Sequence, residues 1–173
     1  MTRIWQICMG VALVFAAMAN PAQAEAAQRP HRKAHYEGES PRHLQASYQS
    51  IGGNGGLVFG GHGGYYFYDD FMAGIDLGYL YQFDRFRDDY LVVEPLARYL
   101  LVNRHFLALS VTAKVGRYFN LGADESGTSV GAGPAIEAYW GRRGHLAVSV
   151  LYKRIIFPNR SVPAYEVGAG LGF

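Results

Sequence analysis

The feature that most constrains the fold of this chain is an alternation of apolar with polar or small residues. In the stretch FMAGIDLGYLYQF, every second residue from Phe71 to Phe83 is apolar or aromatic, and the intervening residues include Gly74, Asp76 and Gln82. Because successive side chains of a β-strand point to opposite faces, this pattern predicts a half-buried strand and not a helix. Similar segments recur to the end of the chain and predict eight strands, at about 44–52, 57–68, 71–83, 91–101, 107–115, 130–140, 146–152 and 165–173.

Residues 1–24 have the pattern of a secretory signal peptide that is removed from the mature protein. A positive residue, Arg3, precedes an apolar run from Ile4 to about Ala19, and a small-x-small cleavage site follows at Ala22-Gln23-Ala24. The run is shorter than the ~20 apolar residues that a membrane-spanning helix needs. A cleaved signal is therefore favoured over an N-terminal membrane anchor.

The composition narrows the class of the mature chain. It is rich in Gly (22), Tyr (13) and Phe (10), only 17% of the residues are charged, and the net charge of +2 is too small to indicate nucleic-acid binding. The only cysteine, Cys8, lies in the predicted signal, so neither a disulfide nor a thiolate metal site is expected. No later stretch has the ~18 uncharged apolar residues of a spanning helix. A transmembrane β-barrel and a secreted β-sandwich remain.

The connections and the aromatic residues favour the barrel. Short turns at 69–70, 103–105 and 141–144 alternate with the segments GGNG, DRFRDD, NLGADESG and PNRSVP, as in outer-membrane barrels, which have an even number of strands. Such barrels also carry an aromatic girdle at each membrane interface. We expect one girdle of Tyr79, Tyr81, Phe83, Tyr118, Phe157 and Tyr165, and a second of Phe67, Phe71, Tyr99, Trp140 and Phe173.

The last strand resembles a motif of one known family. Its alternating residues Tyr165, Val167, Ala169, Leu171 and Phe173 finish on a terminal aromatic. From about residue 44 onward, the chain resembles the small eight-stranded outer-membrane β-barrel proteins, which include the OmpA transmembrane domain and the OmpX and Ail type. The resemblance implies an all-β, eight-stranded antiparallel up-and-down transmembrane β-barrel in the outer membrane of a Gram-negative-type bacterium. It also implies that these five residues are an assembly signal read by the barrel-assembly machinery.

If the apolar faces contact lipid, the opposite faces fill the barrel. An eight-stranded barrel is just wide enough to be packed with side chains. Buried charges need partners, so we expect the lumen charges to pair with one another. Counting from a three-residue turn at 103–105 predicts that Glu94 lies directly opposite Lys114. An ion path through the lumen is the alternative, and His62 is a further lumen candidate. The predicted charge network consists of Asp76, Glu94, Arg98, Lys114, Glu137, Lys153 and Glu166.

The sequence favours a non-enzymatic barrel. Some eight-stranded outer-membrane barrels modify lipid A, and the deacylase type uses a His-x-Ser pair in which imidazole activates the hydroxyl. None of His62, His105 and His145 has a serine two residues later, although a site assembled across strands stays open as an alternative. We predict no catalytic residue, no cofactor and no metal site; the spacing of His31, His35 and His43 is too irregular for a metal motif.

Two further regions are candidates for binding. Arg85, Arg87, Arg154 and Arg160 lie near the predicted outer loops, and arginine matches phosphate in a forked geometry, so they are candidate lipopolysaccharide contacts. Residues 25–43 are polar and basic, and they are predicted to form a flexible periplasmic extension that meets a partner protein or peptidoglycan. Together with the barrel at 44–173, these features predict a structural or interaction component of the cell envelope. The alternatives are a lipid A-modifying enzyme and a small ion-conducting pore.

Overall fold

The computed structural model describes residues 37–83, 89–104, 106–122, 126–140 and 144–173. The predicted signal peptide, most of the predicted extension, Arg85 and Arg87 lie outside the described residues. The strands are β1 (Arg42–Ile51), β2 (Asn54–Tyr68), β3 (Phe71–Gln82), β4 (Tyr90–Arg104), β5 (Leu107–Asn120), β6 (Ser126–Trp140), β7 (Gly144–Phe157) and β8 (Arg160–Gly172).

Each strand is antiparallel to the next, and β8 pairs with β1 to close the barrel. The predicted fold class, an eight-stranded antiparallel up-and-down barrel, is therefore confirmed. In the ranges that the structure describes, no helix is long and apolar enough to cross a membrane. The turn end of the barrel carries the connections after β2, β4 and β6 together with Arg42 and Phe173. The loop end carries the connections after β1, β3, β5 and β7.

The connections at the loop end differ from the prediction. GGNG and PNRSVP were expected to be loops, but the strands continue into both segments and leave only the two-residue turns Gly52-Gly53 and Pro158-Asn159. Gly52 and Gly53 have φ values of 57° and 96°, which suit a tight hairpin turn in which both central residues adopt positive φ. Longer connections occur only after β3 and β5. The expected alternation of short and long connections is thus wrong at two of the four positions.

The outer surface of the barrel is apolar. Along each of β4 to β8, the residues predicted to face outward are largely exposed, whereas those between them are buried. The aromatic girdles need one correction: Tyr118 and Phe157 are buried in the lumen, because each lies an odd number of residues from an outward-facing neighbour such as Val115 or Ile156. The large apolar side chains on the outside include Phe59, Phe67, Tyr99, Val111, Trp140, Val150, Tyr152, Tyr165, Val167 and Phe173.

Two apolar clusters fill the ends of the lumen. The loop-end cluster consists of Ile51, Val58, Leu80, Tyr90, Val92, Tyr118, Ile155, Phe157 and Ala164. The turn-end cluster consists of Tyr66, Met72, Leu96, Leu100 and Ala108, with Tyr139 packed against it. Between them lies a layer of buried polar and charged residues. The interior thus has the reverse arrangement of a soluble core, since its charges are at the centre and its apolar residues are at the two ends.

The segment before β1 extends the barrel wall. Gly38 N donates to Tyr66 O at 2.8 Å, and Tyr66 N donates to Glu39 O at 2.9 Å. Gly64 N donates to Pro41 O at 3.3 Å. Residues 37–41, which belong to the predicted extension, therefore lie against the last part of β2.

Candidate functional site

The polar layer of the lumen is the candidate functional site. The structure places all seven predicted lumen charges inside the barrel, where each residue is at most 5% exposed. They lie there because six strands have polar residues at inward-facing positions near the middle of the barrel. Asp76 is on β3, Glu94 and Arg98 are on β4, Lys114 is on β5, Glu137 is on β6, Lys153 is on β7 and Glu166 is on β8.

The first ion-paired group is centred on Lys153. Its Nζ atom lies 2.6 Å from Glu94 Oε2 and 2.6 Å from Glu166 Oε2. Ser129 Oγ donates to Glu94 at 2.6 Å, and Ser47 Oγ donates to Glu166 at 3.1 Å. One ammonium group therefore bridges two carboxylates, and each carboxylate has a hydroxyl donor on its other oxygen. In the same position, a buried charge without a partner would cost roughly several kcal/mol of folding free energy. The partners of these three charges avoid that cost.

The second group pairs Lys114 with Asp76. Lys114 Nζ donates to Asp76 Oδ2, and Gln45 Nε2 donates to the same carboxylate at 3.0 Å. The predicted pair of Glu94 with Lys114 is therefore wrong, since Glu94 bonds to Lys153 and Lys114 bonds to Asp76.

The register of β4 against β5 explains this error. Strand β4 continues to Arg104, which faces Leu107, so the register at the turn differs from the predicted one by three residues, and a β-bulge between Leu100 and Val102 reduces the difference to two. As a result Lys114 faces Leu96, two residues along from Glu94. A shift by an even number leaves every side chain on its predicted face. Glu94 and Lys114 therefore both face the lumen as predicted, although they are not directly opposite each other.

The third group surrounds Arg98. Arg98 Nη1 forms a buried ion pair with Glu137 Oε1, and Tyr139 Oη donates to Glu137 Oε2. Arg98 Nη2 lies 2.9 Å from His62 Nε2, and Arg98 Nε donates to Thr112 at 3.3 Å. Because guanidinium can only donate, His62 Nε2 is the acceptor in this bond. The predicted addition of His62 to the lumen thus has a specific partner in the structure.

A group of three histidines was missed at the turn end of the polar layer. His43 stacks on His62 with ring centroids 4.2 Å apart, and His145 meets His43 edge-on at 4.5 Å. His43 was assigned to the extension, and His145 fell between a predicted turn at 141–144 and a predicted strand that begins at Leu146. The alternation itself contained the signal, because His145 shares its parity with inward-facing Lys153, and His43 shares its parity with Ser47 and Gln49.

The charges of the layer do not quite balance. Among the described residues, the buried carboxylates are Asp76, Glu94, Glu137 and Glu166, and the permanent cations are Arg98, Lys114 and Lys153. With neutral histidines, the lumen therefore has one negative charge in excess. In a low-dielectric interior, such an excess favours either a protonated imidazole or a bound cation.

A small cavity lies beside the histidines. Its volume is about 20 Å³, and its lining includes His43, Gln45, His62 and Arg98. A cavity needs about 10–15 Å³ to hold one water molecule, so this one has room for a single small ligand.

Two of the buried lumen serines are engaged with carboxylates. Ser47 and Ser129 donate to Glu166 and Glu94 at 3.1 and 2.6 Å, so the protons of these hydroxyls are held by members of an ion-paired group. A nucleophilic serine needs a base such as imidazole within hydrogen-bond reach. These two serines therefore lack the arrangement of a hydrolytic site.

The arginines at the loop end lie on the outside of the barrel. Arg154 is exposed and donates to Ser161 at 2.8 Å, and the guanidinium of exposed Arg160 lies 5.1 Å from the centre of the Phe157 ring. Arg117, which sequence reasoning did not single out, is also exposed and donates to Ser126 at 3.0 Å. These three side chains are exposed at the loop-end rim.

The predicted assembly signal lies on the outer face of β8 and its terminal residue. The side chains of Tyr165, Val167, Leu171 and Phe173 are half exposed, and Ala169 is exposed between them. This strand pairs with β1 and β7 in a regular register.

Comparisons with known proteins identify the fold. No protein-family model matches the chain, and no curated protein matches it in sequence. Among solved structures, Neisserial surface protein A matches with a TM-score of 0.57 and 12% identity, over 77% of this chain and 95% of the other. The N-terminal β-barrel domain of Pseudomonas aeruginosa OprF matches with a TM-score of 0.51 and 18% identity, over 79% and 100%. At these identities the likeness shows the fold, and it confirms the predicted resemblance to small eight-stranded membrane barrels at that level.

Proposed function

We propose that this protein is a closed, non-enzymatic barrel of the outer membrane of a Gram-negative-type bacterium, where it acts as a structural or interaction component of the cell envelope. The observation that carries the proposal is the reversed distribution of polarity. Apolar side chains cover the outside of the barrel, and paired charges fill its centre.

The outer surface supports a location in lipid. Soluble proteins rarely expose contiguous apolar patches larger than a few hundred Å², because water does not solvate them favourably. Here outward-facing apolar residues follow one another along adjacent strands, for example Val130, Tyr152 and Tyr165. A transmembrane barrel requires such a belt with aromatic residues at its edges.

The lumen supports a packed interior over the ion-conducting alternative. An ion that crossed the barrel would have to pass the loop-end cluster, the ion-paired layer and the turn-end cluster. Met72, Leu80, Tyr118 and Ile155 belong to the end clusters, and each of these side chains is fully buried. A small barrel filled by its own side chains provides a rigid membrane element without a water-filled channel.

The exposed loop-end arginines support contact with anionic headgroups. Arg117, Arg154 and Arg160 stand at the rim that would face the cell exterior, and arginine binds phosphate oxygens in a bidentate manner. Lipopolysaccharide phosphates are the proposed ligand of these arginines. The barrel-assembly machinery is a separate proposed partner, which would act on the last strand during insertion. The basic segment before residue 37 is the proposed contact with a periplasmic protein or with peptidoglycan.

A deletion strain tests the role. We expect loss of the protein to raise the uptake of a dye that the intact outer membrane excludes, and to leave the mass spectrum of lipid A unchanged. A changed acylation pattern, restored by the wild-type gene, would instead establish the enzymatic alternative. The purified barrel should also give no stable conductance steps in a planar bilayer, and reproducible steps would establish the pore.

The basic segment is tested in the same strain. Complementation with a chain that lacks residues 26–36 preserves residues 37–41, which hydrogen-bond to β2. A chain with the same eleven-residue segment in scrambled order is the matched control. We expect in-cell crosslinking to recover a partner with the full chain and to lose it with the deletion. Recovery of the same partner with all three chains would assign the contact to the barrel.

A further inference from the structure

The turn end of the lumen brings two histidines together across a glycine. Strand β8 lies between β7 and β1, and Gly172 is directly opposite both His145 and His43. A Cβ atom at position 172 would lie 1.9 Å from the His145 ring. Only a residue without a side chain therefore allows the two imidazoles to meet over this position.

The distance between the two imidazoles matches that between two ligands of a single metal ion. His145 Nε2 lies 3.3 Å from both ring nitrogens of His43 and 3.8 Å from Glu137 Oε2. The candidate ligand atoms of the three residues all lie within 4.8 Å of one another. In a tetrahedral zinc site with Zn–N bonds of about 2.0–2.1 Å, neighbouring ligand atoms are about 3.3–3.4 Å apart. The two histidine nitrogens already have this separation, whereas Glu137 Oε2 has to move closer to share the ion.

The surrounding residues hold the three side chains in position. Arg98 is paired with Glu137 Oε1, and Glu137 Oε2, which accepts a hydrogen bond from Tyr139 Oη, faces His145. The Tyr139 ring stacks on His145 at 4.6 Å, and the His62 ring stacks on His43 at 4.2 Å. Contacts of this kind orient metal-binding side chains and influence their affinity.

The surroundings leave room for a cation at this place. The described lumen carries one more carboxylate than permanent cations, although this excess lies with Glu94 and Glu166 around Lys153 and not beside the histidines. The adjoining cavity of about 20 Å³, which is lined by His43 but by neither His145 nor Glu137, has room for one water molecule. His62, which is 5% exposed, lines that cavity, and its Nδ1 atom has no hydrogen-bond partner in the described part of the chain.

We propose that His43, His145 and Glu137 form a binding site for one divalent transition-metal ion, of which Zn²⁺ is the best-matched representative. Two imidazoles and one carboxylate are a ligand set that Zn²⁺ accepts, and imidazole also binds Cu²⁺ and Ni²⁺. The ion joins β1, β6 and β7 at the turn end, where it stabilises the closed barrel. This inference is independent of the role proposed for the protein in the envelope.

The test uses the mature barrel, folded in detergent micelles, purified without a histidine tag and treated with EDTA. Titration with Co²⁺ should give the d–d absorption bands of a tetrahedral site at one ion per barrel, and Zn²⁺ should displace them. Zn²⁺ should also raise the thermal unfolding temperature measured by circular dichroism. Absence of the bands or a shift without one-to-one stoichiometry would overturn the proposal.

Variants assign the site. His145→Gln and, separately, His43→Gln should each weaken Zn²⁺ binding at least tenfold, since removal of even an outer-shell partner costs about 10–100-fold. The matched control replaces His31, His35 and His105 with Gln and should retain the wild-type affinity. Gly172→Ala should weaken binding without removing any ligand, because its Cβ displaces the His145 ring. Loss of binding in the control, with retention in His145→Gln, would place the ion elsewhere.

Discussion

Lys153 Nζ lies 2.6 Å from Glu166 Oε2 on the neighbouring strand, and both side chains are buried in the middle of the barrel. The same ammonium also contacts Glu94 on the opposite side of the lumen. One positive charge thus links the closing strand of the barrel to a strand halfway around it.

Replacement of Lys153 should therefore destabilise the barrel strongly. Lys153→Met leaves Glu94 and Glu166 buried without their shared cation, and we expect a loss of about 3–5 kcal/mol in the free energy of unfolding. Urea unfolding in micelles measures this. Arg154→Met, which removes the exposed cation one residue further on, should cost no more than about 1 kcal/mol. Equal losses for the two variants would contradict the proposed importance of the buried group.

The register of β4 against β5 can be measured with disulfides. Ala97 and Ala113 are direct partners on the outer face, so Ala97→Cys combined with Ala113→Cys should crosslink readily on oxidation. The sequence-based register instead places Pro95 opposite Ala113. Pro95→Cys with Ala113→Cys should therefore crosslink poorly. A faster reaction of this second pair would mean that the strands are shifted by two residues from the structure.

Close approach of the strands should make one lumen glycine irreplaceable. A Cβ atom at Gly133 would lie 1.9 Å from Val150 O, a backbone atom that cannot move without shifting β7. We expect Gly133→Ala to reduce the free energy of unfolding by about 1–3 kcal/mol or to prevent folding. In Gly122→Ala, the new atom meets only the Asn120 side chain at 3.6 Å. This control should unfold like the wild type, and a comparable loss there would argue against a packing effect.

The position of Trp140 tests the membrane girdle. After residue 24 it is the only tryptophan of the chain, and its side chain is exposed on the outside near the turn end. We expect lipids brominated near the headgroup to quench its fluorescence more than lipids brominated deep in the acyl chain. Moving the fluorophore to mid-strand, with Trp140→Phe and Val150→Trp, should reverse the order. The same order in both proteins would be incompatible with a barrel that crosses the membrane as proposed.

Several features of the site were predictable because the side-chain period of a strand is two. The inward orientation of Asp76, Lys114 and Glu166 follows from this parity alone, without any knowledge of the neighbouring strand. The same rule should have placed Tyr118 and Phe157 in the lumen, where they close the loop end. Their assignment to a girdle followed from their aromatic character, which is a weaker signal than parity.

The histidine group shows where sequence reasoning ended. His43 and His145 are 102 residues apart and meet only because closure of the barrel places β8 between their strands. The alternation along each strand predicts that both side chains face the lumen, but it does not predict their positions along the barrel axis. These positions depend on the number of residues in each turn and on bulges such as the one in β4.

The sequence by itself determined the strands, their number and the face of nearly every residue, since local alternation sets these properties. Only the tertiary structure decided which charges share a level, which carboxylates Lys153 bridges, and which imidazoles meet at Gly172. The physical reason is that the face to which a side chain points is a local property of the pleated backbone. Its position along the barrel axis relative to other side chains depends on all the strand registers around the closed barrel. A shift of two residues in one register preserves every face and changes every pair between those two strands.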